Sequence, residues 1–366
     1  MLYLMGIIIT FFLVIILISK KNKSEADKIL ALWLLFTGLH LILFYLHFNN
    51  EYTQFPYLLG VEIPMPFVQG PFLYLYTSAL TNQNRVKKYN FLHFIPFATT
   101  IILLIPFFGS SFDEKFNVYR NEGKGYEQLL SVIYVAIIIS GIAYAFLSLQ
   151  KLSRYRKNIT QQFSFSEKIN LRWLSYLILG SSVIWVVVIF CDDQFIFSTV
   201  VLYLFFIGYF GIKQVGIFTN KPVSESNETE VLALETVSAE NQTEKIKYEK
   251  SGLGNTELQF IHKKLTELME DEKLYKNSEL TLAELSQKLN VHPNVLSQVI
   301  NSVEQKNFYD YINYQRVEEF KKLILLPENQ KFTLLSLAFE CGFNSKTAFN
   351  RNFKKVTGVS PSQYLK

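Results

Sequence analysis

The sequence predicts an all-α protein: a seven-helix transmembrane bundle joined by a flexible linker to a soluble α-helical domain with two helix-turn-helix units. Three observations lead there. Seven apolar stretches follow one another within the first 218 residues, the composition then turns abruptly polar and acidic, and a helical pattern of apolar residues recurs at a spacing of 52 near the end of the chain. The 366 residues are 49% hydrophobic, with 36 Lys plus Arg against 31 Asp plus Glu. The apolar excess is confined to the first part, which argues against a single soluble globule. Two cysteines, Cys191 and Cys341, lie in segments of different character and offer neither a disulfide framework nor a Cys-rich metal site.

The apolar stretches cover about residues 2–19, 29–48, 57–80, 91–108, 129–149, 173–191 and 194–212. Each approaches or meets the roughly 17–25 residues that a helix needs to cross the hydrocarbon core. The first has no basic residue ahead of it and no small-x-small cleavage pattern before the KKNK run, so it reads as a retained span rather than a signal peptide. The loops test the count independently, because cytoplasmic loops are enriched in Lys and Arg. Odd-numbered loops carry thirteen: Lys20, Lys21, Lys23 and Lys28, then Arg85, Lys87 and Lys88, then six between Lys151 and Arg172. Even-numbered loops carry three, all in loop four, where Asp113, Glu114, Glu122 and Glu127 outnumber them. The expected arrangement is a multi-pass protein of the inner (cell) membrane, with its amino terminus outside and everything from Lys213 onward in the cytoplasm.

Polar groups within spans are costly in lipid and tend to face a bundle interior. His40 and His93 read as packing or interfacial residues. Glu62 and Gln69 lie in GVEIPMPFVQGPFLYLY, where Pro64, Pro66, Gly70 and Pro71 interrupt the helix and free backbone groups that could line a cavity. These two are the candidates for signal sensing, against the plainer reading that Glu62 is a wet interfacial residue. No HExxH, paired acids or nucleophile with a nearby base suggests catalysis, and no metal or cofactor is expected.

Residues 219–254 contain seven Glu and four Lys but no Phe or Trp, which reads as a mobile acidic tether between a membrane domain, 1–218, and a soluble domain, 255–366. The first soluble helix is expected to open with a capping box of Thr256 and Gln259, and the next with Thr281 and Glu284. TLAELSQKLNVHPNVLSQVI and TLLSLAFECGFNSKTAFNRNF then repeat one pattern. Leu282, Leu285 and Leu289 correspond to Leu334, Leu337 and Cys341, Asn290 to Gly342, and Val291 to Phe343. The second copy has one extra residue beyond the turn, so Leu296, Gln298 and Ile300 match Phe349, Arg351 and Phe353. The repeat reads as a duplicated helix-turn-helix joined by the helical stretch FYDYINYQRVEEFKKLIL.

Residues 278–366 resemble the AraC/XylS-type DNA-binding domain, most specifically in LAFECGFNSKTAFNRNFKKVTGVSPSQYLK. The arrangement of spans ahead of such a domain is similar to membrane-bound AraC-type regulators of bacteria. The resemblance implies a transcription regulator with recognition helices at about 293–302 and 345–355. On the first, Asn294, Ser297, Gln298 and Asn301 are free of the apolar stripe, although the family often has arginine where Gln298 stands. On the second, Lys346, Thr347, Asn350, Arg351 and Lys354 can face DNA, with Lys355 beside them. Asn and Gln suit adenine, and Arg suits guanine. The last 22 residues hold five basic groups and no acid, a basic footprint at one end.

The expected protein is a one-component regulator whose partners are double-stranded DNA, the lipid bilayer and an unidentified small-molecule or membrane signal, with a homodimer as an open option. The alternative is a transporter or ligand-binding membrane protein with an accessory DNA-binding tail. The charge asymmetry generates a topology prediction. A reporter fused after Lys213 should be active only if it works in the cytoplasm, and one placed near Gly123 only if it works outside; activity of a cytoplasmic reporter at Gly123 would overturn the seven-span count.

Overall fold

The structure, a computed structural model, describes residues 1–83, 87–121, 123–167, 169–213 and 254–364. The acidic tether expected at 219–254 lies outside the described residues except for Gly254. The described chain is helical throughout, relieved by turns and one isolated bridge. Its contacts divide it into two compact units, one of Met1–Leu152 with Arg172–Ser238, the other of Ser153–Leu171 with Ala239–Lys366.

The first unit contains α1 (Leu2–Ser19), α2 (Glu25–Phe48), α3 (Pro66–Leu80), α4 (Ile95–Leu103), α5 (Ile105–Phe108), α6 (Phe112–Arg120), most of α7 (Glu127–Gln162), α8 (Arg172–Phe190) and α9 (Asp193–Lys213). Among the described residues five helices are long and apolar enough to cross a membrane: α1, α2, α7, α8 and α9. The third and fourth apolar stretches are broken instead, for a reason written in their prolines. Proline has no N–H to give the preceding turn but suits the first turn of a helix, where no such bond is made. Helix α3 accordingly begins at Pro66, after the turns around Gly60 and Pro64, and tolerates Pro71 one turn in. Pro96 and Pro106 likewise stand in the first turns of α4 and α5, which divide at Leu104. Helix α2 is started by a reciprocal cap between Ser24 and Asp27, and Asp27 also receives Lys20 at 2.8 Å.

The second unit contains α10 (Asn255–Asp271), α11 (Leu282–Lys288), α12 (Pro293–Val303), α13 (Phe308–Ile324), α14 (Leu334–Glu340), α15 (Lys346–Thr357) and α16 (Pro361–Tyr364). Helix α10 begins earlier than its expected Thr256 and Gln259 box. Gly254 is the N-cap, its carbonyl accepts from Glu257 and Leu258, and Thr256 lies inside the first turn. Helix α13 serves two cores. Phe308, Tyr311 and Ile312 join Leu285, Leu296 and Ile300 of the first hairpin, whereas Val317 and Phe320 join Leu337, Phe349 and Phe353 of the second.

The turns of the two hairpins use different residues for the same left-handed conformation, Asn290 at φ 53° and Gly342 at φ 94°. A Cβ on Gly342 would lie 2.4 Å from the Tyr275 carbonyl oxygen and 2.8 Å from that of Lys276, whereas one on Gly358, at φ 81°, would meet nothing within 4 Å. Both substitutions by alanine incur the left-handed strain of about 1–2 kcal/mol. Gly342→Ala should lose about 1–3 kcal/mol more, because rigid backbone must move to admit the methyl group. Amide hydrogen exchange in α13 measures both, and equal losses would show that this close approach is relaxed at little cost.

Candidate functional site

The first helix-turn-helix is built as its sequence pattern dictates. Thr281 and Glu284 cap α11 reciprocally, with the Thr281 N–H donating to Glu284 Oε2 at 2.9 Å and the Glu284 N–H to Thr281 Oγ1 at 3.2 Å. The turn at Asn290 leads to α12, whose N-terminus is held by His292 Nδ1 accepting from the Asn294 N–H at 3.2 Å. Leu296, Val299 and Ile300 are buried, leaving Gln298 exposed with Asn294 and Ser297 half-buried beside it. Asn301 donates to Ser297 Oγ at 3.2 Å, so these two polar groups partly satisfy each other.

The second copy presents a fuller surface. Ser345 caps α15 by accepting from the Ala348 N–H at 3.0 Å, and Ala348, Phe349, Asn352 and Phe353 are buried. Helical periodicity then places Lys346, Thr347, Asn350, Arg351, Lys354 and Lys355 on one exposed face. The α15 cations differ in how they are held. Lys355 Nζ meets Asp310 Oδ1 at 2.6 Å. Arg351 donates to the Tyr309 hydroxyl at 2.6 Å and to Glu167 Oε1 at 2.6 Å. Partial burial works against its charge, but the Tyr309 hydroxyl and the Glu167 carboxylate outweigh that and hold its pKa above the ordinary arginine value.

The same unit contains a buried guanidinium that the sequence reading did not single out. Arg316 on α13 is 2% exposed. Its Nε donates to the Tyr275 carbonyl and one terminal nitrogen to the Asn277 carbonyl, each at 2.7 Å. The remaining donors reach Asn313 Oδ1 at 3.2 Å, and the carbonyl and hydroxyl oxygens of Ser164 at 3.1 and 3.0 Å. Burial pulls Arg316 down to about 10, which leaves it protonated at neutral pH. A signal for it exists in the sequence: Ile312, Arg316 and Phe320 are four residues apart, so a lone cation interrupts a buried stripe. Ser164 and Glu167 carried a fainter one, the alternation of Phe163 and Phe165 within a polar loop. Cys341, which the repeat aligns with Leu289 of the first copy, is buried in the second hairpin, and burial pushes its thiol up to about 12.

The first unit holds a cavity of about 470 Å³, within the usual range for small-molecule sites. Glu62 and Gln69 both line it, with His40, Trp33 and Tyr119 and walls that include Leu41, Phe44, Ile137, Trp185 and Phe197. Gln69 Oε1 accepts from Trp33 Nε1 at 2.7 Å and from Thr37 Oγ1 at 3.2 Å. Tyr119 donates its hydroxyl to Glu62 and accepts from the Gly60 N–H at 2.7 Å. Among the described residues no Lys or Arg forms an ion pair with Glu62. His93 lies apart from the cavity lining, hydrogen-bonded to Tyr144 at 3.0 Å. Among the described residues no cluster of metal-ligating side chains occurs.

With this geometry in view, comparison with known proteins is informative for one part of the chain. Residues 285–366 match the family of a helix-turn-helix domain. A stretch of 87 residues, 24% of this chain, is 32% identical to an uncharacterized HTH-type transcriptional regulator, YijO, of Escherichia coli (strain K12), and spans 30% of that protein. No solved structure matches the chain. The carboxy-terminal unit therefore contains a helix-turn-helix domain of the AraC type, and the chain ahead of it contributes several long apolar helices.

Proposed function

We propose that the protein is a membrane-bound one-component transcription regulator, in which the carboxy-terminal unit reads DNA and the helices ahead of it receive the signal. The observation that carries the DNA-binding part is the pairing of two capped helix-turn-helix units on one shared helix, with six polar or basic side chains exposed along α15. The 17 residues of α13 span about 25 Å, less than one DNA turn but enough to separate two reading helices. Within that arrangement Arg351, Lys346, Thr347 and Asn350 read bases, Lys354 and Lys355 hold phosphate, and Asn294, Ser297 and Gln298 provide a weaker contact from α12. The long apolar helices and the thirteen-to-three loop charge asymmetry support a multi-pass protein with this unit in the cytoplasm.

The signal we assign to the cavity is a small, mainly apolar molecule bearing one cationic or hydrogen-bonding group. Its body matches walls of aliphatic and aromatic side chains, and its polar group meets Glu62, a carboxyl group that no Lys or Arg neutralises among the described residues.

Two predictions follow from these assignments. A bidentate contact from arginine to guanine is worth about 1–3 kcal/mol of discrimination, whereas a phosphate contact steadies binding to any sequence. Arg351→Ala should therefore relax preference at one base pair, while Lys355→Ala should weaken all sequences alike and lower the salt slope by about one unit. Binding of the full-length protein to a randomised duplex pool separates the two, and uniform weakening by Arg351→Ala would make Arg351 a phosphate anchor. Glu62→Gln should change transcription from the bound promoters at unchanged protein level. Unaltered output across growth conditions would reduce Glu62 to an interfacial residue.

A further inference from the structure

The segment Ser153–Leu171 comprises the last turns of α7 and the loop that leads to α8, yet its contacts make it part of the carboxy-terminal unit. Its centre, Phe163–Glu167, is inserted rather than draped. Phe163 and Phe165 are each 3% exposed and Ser164 is 1% exposed, a degree of burial that exposed loops do not reach. Phe163 bridges Thr281 in antiparallel fashion, and the Ser164 N–H donates to the Leu280 carbonyl at 3.1 Å, immediately ahead of α11. The Ser164 carbonyl accepts from both Asn313 and Arg316 on α13. At its far end Glu167 forms the 2.6 Å ion pair with Arg351, and Ser166 Oγ lies 3.4 Å from the same guanidinium nitrogen. One short segment thus touches the entry to the first hairpin, the shared helix and the exposed face of the second.

We propose that residues 163–167 are an intramolecular occupant of the DNA-reading face, which holds Arg351 through Glu167 and must be displaced before a duplex can use that arginine. The inference rests on the DNA-binding reading of α15. Its physical basis is competition for one group. The Arg351 side chain is 40% exposed and its contact with Glu167 is charge-assisted. Any base edge or phosphate that takes Arg351 has to replace a carboxylate, which the negative charge of the duplex also repels. The displacement extends along the segment, because Ser166 and Glu167 lie only two and three residues beyond the Ser164 anchor on Arg316. The helices that flank the loop in sequence, α7 and α8, both supply walls of the cavity, Tyr134 and Ile137 from one and Trp185 and Val188 from the other. The loop that holds Arg351 is thus continuous in the chain with two of the helices that wall the cavity.

The test uses the full-length protein in nanodiscs and duplexes enriched from a random-sequence pool, separately by the wild type and by Glu167→Gln. Glu167→Gln should bind DNA about two- to fivefold more tightly than the wild type, the range expected for losing one partly exposed ion pair from the unbound state. Glu328→Gln removes one exposed carboxylate of the same unit that makes no ion pair with Arg351, and should change affinity less than the Glu167 variant does. Hydrogen exchange gives a second readout: the amide of Ser164 should be protected in the free protein and lose protection when duplex is added. Unchanged or weaker binding by Glu167→Gln, an equal gain with Glu328→Gln, or persistent protection of Ser164 on DNA would overturn the proposal and make the loop a permanent part of the domain. Failure of both proteins to enrich any duplex would instead sink the DNA-binding reading itself.

Discussion

The carboxy-terminal unit depends on one guanidinium that is almost wholly removed from water. Arg316 sits where the first core ends and the second begins, and a charge in such a place is tolerable only if every donor finds an acceptor. Its acceptors come from three separate stretches of chain: the turn at Tyr275–Asn277, the side chain of Asn313 and the backbone and hydroxyl of Ser164. The Tyr275 carbonyl it holds is also the atom against which Gly342 packs, so the turn of the second hairpin rests on a backbone segment that Arg316 positions. A second charged group reinforces the same segment. Burial pushes the Glu319 carboxyl up, but Lys276 and Lys273 at 3.0 and 3.3 Å outweigh it and hold it below the ordinary value, while the Tyr275 hydroxyl also donates to it. Polar groups thus fix how the two hairpins lie on α13, and apolar packing fills the space that remains.

The first unit is constrained differently. In an apolar surrounding each backbone N–H and C=O has to be satisfied within its own helix, so interruptions are tolerated only where other groups take over. The turns ahead of α3 illustrate this, since the Gly60 N–H, freed by its left-handed conformation, is taken by the Tyr119 hydroxyl. The same hydroxyl donates to Glu62, so one tyrosine on α6 serves both a displaced backbone group and the acid that lines the cavity. Breaking a helix and creating a polar spot in an apolar cavity are here one structural event.

Much of this was legible in the sequence because it follows from local rules. The Leu282, Leu285 and Leu289 spacing, the Thr281 and Glu284 box and the pairing of Asn290 with Gly342 each depend on residues within one or two turns of a hairpin, and the box and the two left-handed turns stand where the repeat places them. The exposed face of α15 followed from the same periodicity. What was not legible depends on partners far apart in the chain. Arg316 and Ser164 are separated by 152 residues, and nothing in a loop read for its positive charge announces that two of its serines and a glutamate belong to another unit. The box expected at Thr256 failed for a smaller reason: the glycine ahead of it starts the helix before the threonine can. The break in the third apolar stretch was legible in Pro64 and Pro66, whereas the division of the fourth at Leu104, between the helices that begin near Pro96 and Pro106, was not.

Helix α13 carries a consequence for how such a protein can change over time. It presents Phe308, Tyr311 and Ile312 to one core and Val317 and Phe320 to the other, with Arg316 between them. Because an α-helix turns by about 100° for each residue, a single insertion or deletion in α13 would swing one set of side chains out of its core. The interval between the two exposed surfaces cannot drift by small steps. Lineages descended from this arrangement can exchange the side chains on α12 and α15 freely, but they inherit the distance between them intact.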